Sequence, residues 1–127
     1  MLEKQLFEYA VIRVVPRVER EEFMNVGIIL YCAKRNFLKA SICINEQRVL
    51  SLASDIEMDF VKKNLEAISK ICEGGVQAGP IGILDSASRF RWLTATRSTV
   101  VQVSKVHPGF CFDAEEVLQR LMKQLVL

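Results

Sequence analysis

Three arginines, the only tryptophan and a run of hydroxyls fall within eleven residues, Arg89-Phe-Arg-Trp-Leu-Thr-Ala-Thr-Arg97-Ser-Thr99. Guanidinium groups bind phosphate and carboxylate through paired N–H donors, and aromatic rings stack on flat ligands. No acidic residue occurs from Ser86 through Phe112, while Arg89, Arg91, Arg97 and Lys105 all lie in that window. Neighbouring carboxylates therefore cannot neutralise these charges. Either distant acids cover them, or they face water, or they hold an anion. Arg89, Arg91, Arg97, Ser98 and Thr99 are accordingly candidate anion-binding residues. Trp92 is read as core, as tryptophans in small domains usually are.

Two further places could carry chemistry. Arg13 sits in mid-strand with Tyr9, Val11 and Val15 on its face, where an unpaired charge is costly, so it should have a partner. Glu22 is the nearest carboxylate once the chain turns back. The pair is either a structural ion pair or an arginine aimed at a ligand. Asn25-Val-Gly27 opens the next strand, where a glycine marks a bulge or a close backbone approach, to a ligand or to a partner chain. A Ser98–His107–Asp113 relay can be drawn, but His107 stands beside a proline and reads as a loop histidine. No phosphate loop, dinucleotide fingerprint, zinc-protease motif or nucleophile elbow occurs, which argues against standard NTPase chemistry. Cys32, Cys43, Cys72 and Cys111 are dispersed among apolar neighbours and read as buried, reduced thiols. No metal site and no cofactor are assigned.

The elements that must position these residues follow from hydrophobic spacing. Phe7 to Val15 is a first strand ended by Pro16, Phe23 to Ala33 a second, and Phe37 to Ile44 a third after the Lys34-Arg35-Asn36 loop. Ser54-x-x-Glu57 reads as a capping box opening a helix with Val61, Leu65, Ile68 and Cys72 on one face, stopped by Gly74-Gly75. Ile81 to Phe90 is open between a short helix and irregular structure. Ser98 to Ser104 reads as a fourth strand, and Asp113 caps a last helix with Val117, Leu118, Leu121, Met122 and Leu125 on one face. The order β-β-β-α-(α)-β-α predicts an α+β fold: an antiparallel sheet of about four strands, with helices packed on one face.

At 127 residues the chain is a single domain, residues 1–127, with a globular composition and a net charge of only +2. That charge is too small to argue for nucleic acid by itself. Mean hydropathy is high at +0.20, which points to strands buried on both faces and to a homodimer interface. The longest apolar run, Val26 to Ala33, is too short to span a bilayer, and charges interrupt the N-terminal segment. A cytoplasmic protein without a membrane partner is expected.

Several blocks resemble a known family: Phe7-x-Tyr9-x-Val-Ile-Arg13-x-x-Pro16, Arg20-x-Glu22-Phe23-x-Asn25-Val-Gly27, Phe90-Arg-Trp-Leu-Thr-Ala95-x-Arg97-Ser-Thr99-x-x-Gln102 and His107-Pro-Gly109. Together they are similar to the bacterial domain-of-unknown-function family 3037 over nearly the whole chain. The resemblance implies a small bacterial protein without an assigned activity, and a protein partner resembling the HipA toxin kinase. It transfers no catalytic residue. The leading expectation is a non-enzymatic binding or regulatory domain with an arginine-rich anion or partner site. The alternatives are nucleic-acid binding through the basic segment 86–112, and an enzyme acting on a phosphorylated or carboxylated small molecule. The enzyme requires a base, Glu22 or His107, in the pocket that holds the arginines.

Overall fold

Apolar residues on both sides of the first segment place it at the centre of the sheet. The computed structural model describes residues 3–97 and 99–127; Ser98, a candidate anion ligand, lies outside the described residues. β1 (Gln5–Val14), β2 (Met24–Cys32) and β3 (Phe37–Ile42) form the antiparallel meander expected from the sequence. The other side of β1 carries two short strands end to end. β4 (Val101–Val103) pairs with Ile12–Val14, and β5 (His107–Cys111) pairs with Gln5–Tyr9. The sheet is five-stranded, and the fold is α+β.

Alternation along β1 sends its odd and even residues to opposite faces, and both are buried. Phe7 and Val11, with Ile28, Leu30 and Cys32 of β2, pack against Val117, Leu118, Leu121 and Met122 of helix α4 (Ala114–Leu125). Ile12 and Val14, with Val26 and Ile29, pack against α1 (Glu46–Leu52), α2 (Met58–Glu73) and α3 (Ser86–Leu93). The helices therefore divide between the two faces, which corrects the expectation of one covered face. Each fully buried side chain of this kind contributes roughly 1.5–3 kcal/mol.

A bulge at Val26 separates the pairs Gly27↔Ile12 and Asn25↔Arg13. It carries Val26 to the α2 side and leaves Asn25 on the α4 side, where its Nδ2 donates to Leu125 O at 3.1 Å.

Other departures have local causes. α1 went unread because a helix this short presents a single buried residue, Val49, and so shows no period; Asn45 caps it, its side-chain oxygen accepting from Arg48 N at 3.1 Å. The Ser54 capping box does not form. The helix starts at Met58 after Glu57, and Asp55 lies instead near Arg17 at 3.5 Å. β5 hides behind His107-Pro-Gly109, a turn by composition that is a strand in fact. Phe7 covers Gly109, where an added Cβ would lie 2.5 Å from its ring. Ile81 to Phe90 resolves at Asp85, whose carboxylate accepts from Ser88 N at 2.7 Å and opens α3.

Cys32, Cys72 and Cys111 are buried as expected, but Cys43 is exposed, because β3 ends one residue before it. Burial pushes the Cys72 thiol up from 9.0 to about 12, partly opposed by the Arg89 charge. The folded state therefore favours the protonated thiol. Its contribution to stability is complete below about pH 9 and is lost as the pH rises toward 12. An alkylating reagent at mildly alkaline pH should modify Cys43 alone in the native protein and all four cysteines after unfolding. Intact-mass measurement of the two samples checks this.

Candidate functional site

The arginines of the basic segment do not act together. Arg89 reaches under the end of α2, donating from Nη1 to Ile71 O at 2.8 Å and Cys72 O at 2.7 Å, and from Nε to Leu84 O at 3.0 Å. Those carbonyls have no intrahelical donors, so Arg89 caps α2 and places a positive charge at the negative end of its dipole. Arg91 is exposed on α3, and no ion pair joins it among the described residues.

Arg97 turns back on α3. Its Nη2 donates to Trp92 O at 2.7 Å and Nη1 to Leu93 O at 3.4 Å, while the guanidinium carbon lies 4.3 Å from the centre of the Trp92 ring. A guanidinium has five N–H donors, so these two bonds leave three for a ligand.

Trp92 is not core: it is 41% exposed and forms a wall of a cleft of about 200 Å³ between α2, α3 and β4. Phe60, 56% exposed, stands on the α2 side with Asn64. Ile68, Ile71, Leu93, Val101 and Val103 make the apolar interior, and Arg97, Thr99 and Gln102 supply polar groups. Local bonds hold the last of these in place: Thr99 Oγ1 donates to Val101 O and Gln102 Nε2 to Thr99 O, both at 2.7 Å. Among the described residues Arg97 is the only charged one in the lining. An apolar cleft with a few convergent polar groups is the usual form of a ligand site. A wider depression of about 490 Å³ between α2 and β3 has no aromatic wall, and its Lys62 pairs with Glu46 at 3.1 Å.

A family model described as "Protein of unknown function (DUF3037)" matches residues 9–126. The chain belongs to this family. No curated protein and no solved structure matches it.

In this DUF3037 chain the remaining candidates lie away from the cleft. Glu22 pairs with Arg20 and not with Arg13, which corrects the expected ion pair; the two sit side by side at the turn, two residues apart. The same contact raises the Arg20 guanidinium above its ordinary value. Arg13 instead lies over Phe23, its guanidinium carbon 4.1 Å from the ring centre, as a cation–π contact. Its Nε and the Oδ1 of its cross-strand neighbour Asn25 are buried without a hydrogen-bond partner among the described residues. His107 of β5 lies beside Tyr9 of β1, the two rings tilted with centres 5.3 Å apart. Neither Glu22 nor His107 lines the cleft with Arg97, and among the described residues no carboxylate or imidazole lines it. No group of three or more His, Cys, Asp and Glu among the described residues could hold a metal ion. Among the described residues no helix is long and apolar enough to cross a membrane.

Phe60 and Asn64 are not among the residues that the sequence motifs single out. The signal was available: Phe60 falls off the apolar stripe of α2, and a large aromatic residue on a polar face asks for a partner.

Proposed function

We propose that this DUF3037 chain is a non-enzymatic binding module whose α2–α3–β4 cleft takes a compact, largely apolar ligand with a planar ring and one anionic group. The observation that carries this reading is Arg97 lying over Trp92 in a cleft whose other described lining residues are uncharged. The volume, about 200 Å³, accommodates a single ring system and not an extended polyphosphate chain. Phe60 offers a face for stacking, Trp92 an edge beside the guanidinium that covers one of its faces, the remaining donors of Arg97 meet a carboxylate or phosphate, and Thr99 and Gln102 add polar contacts.

Thermal unfolding against aromatic carboxylates, nucleoside monophosphates, sulfate and short single-stranded nucleic acids tests the proposal. A ligand at a hundred times its Kd adds about 2.7 kcal/mol of stability. Aromatic acids should stabilise the protein and sulfate alone should not. Arg97→Gln should weaken the binding of such a ligand by roughly ten- to a hundredfold, the range of a charge-assisted hydrogen bond. Stabilisation by nucleic acid that falls steeply with salt, or by nothing in the panel, would overturn the reading.

A further inference from the structure

We propose that two copies of this chain pair through the open edge of β5, about a twofold axis at Phe110, joining their two sheets into one. Among the described residues strand β5 has β1 on one side and no strand on the other. Val15 N donates to Val100 O at 2.6 Å and Val11 N to Ser104 Oγ at 2.8 Å, so the odd residues of β1 direct their backbone groups toward this edge. Their partners in the register are His107, Gly109 and Cys111. By alternation, Pro108 and Phe110 direct theirs outward.

The outward set is self-complementary. It consists of the N–H and C=O of Phe110, the C=O of Pro108, which has no N–H, and the N–H of Phe112 just past the strand. With Phe110 opposite itself, each Phe110 N–H meets the Phe110 C=O of the second copy. Each Phe112 N–H then meets the Pro108 C=O of the second copy. The donor that Pro108 lacks would have faced Phe112 O, and that oxygen already accepts from Arg35 Nη2 at 3.2 Å. Proline on an edge ordinarily blocks strand addition; in this register it leaves no acceptor without a donor.

The side chains fit the same arrangement. Leu6 and Phe110 are register partners on one face, 48% and 68% exposed. Pairing at Phe110 sets the two phenylalanines side by side between the two Leu6 side chains, an apolar row across the joined sheet. A second copy is therefore the occupant that the self-complementary hydrogen-bond pattern and the apolar row select.

Sedimentation velocity on the full chain over a dilution series tests the proposal, with Phe110→Lys as the variant. The wild type should sediment as a dimer of the 14.4 kDa chain. Phe110→Lys should sediment as a monomer with an unchanged circular dichroism spectrum, since it places two like charges at the axis. A monomeric wild type at the highest attainable concentration overturns the proposal, as does a variant that stays dimeric. If the variant does not fold, hydrogen exchange of the wild type decides. Phe110 and Phe112 amides that are protected at high concentration and fast on dilution support the pairing; amides that are fast throughout sink it.

Discussion

Arg89→Met should destabilise the protein by roughly 3 to 5 kcal/mol, whereas Arg91→Met should change stability by less than about 0.5 kcal/mol. Both residues come from one basic segment, but their surroundings differ. Three N–H groups of Arg89 meet the carbonyls of Ile71, Cys72 and Leu84 in a half-buried setting. A hydrogen bond to a charged group contributes roughly 1.5–3 kcal/mol, and bonds made by one side chain add less than fully. Methionine fills similar volume and carries no donor, so the loss measures the cap and not a cavity. Guanidinium denaturation of the two variants reads the difference. Equal effects would mean that Arg89 does not hold α2.

Gly27→Ala should cost roughly 2 to 4 kcal/mol, more than Gly109→Ala. A Cβ at Gly27 would lie 2.6 Å from Ser41 O, a backbone atom of the neighbouring strand, and 3.0 Å from Ile12 Cδ1. The carbonyl cannot yield without moving β3. At Gly109 the Cβ would meet the ring of Phe7, and a ring can tilt. Equal costs at the two positions would contradict this account. The glycine noticed in Asn25-Val-Gly27 thus makes room for the protein's own sheet and not for a ligand.

The comparison of these glycines shows what was legible in the sequence and what was not. The meander is legible as β-branched and aromatic runs bounded by Pro16 and the Lys34-Arg35-Asn36 loop, α2 because its apolar residues recur at a period of 3.6, and Asp113 marks the start of α4. Burial of the sheet on both faces was implied by β1, apolar on its odd and even positions alike. What sequence does not hold is the direction of a long side chain. Arg89 and Arg97 looked like one anion site, yet each first satisfies the last carbonyls of a helix, a need visible only once α2 and α3 have ends. Trp92 was expected in the core and stands half-exposed, because Phe90 and Leu93 already fill the buried side of α3. Proximity after the chain turns back pairs Glu22 with Arg13, but Arg20 is nearer at the turn.

The cleft also supplies its own reporter, since Trp92 is the only tryptophan of the chain. The most direct measurement is the emission of Trp92 during titration with the aromatic acid that stabilises the protein most. The account predicts a saturable change in emission, with a Kd matching that from thermal stabilisation and weakened in Arg97→Gln. A ligand that saturates by stabilisation while leaving the Trp92 emission unchanged would place the site elsewhere and contradict it.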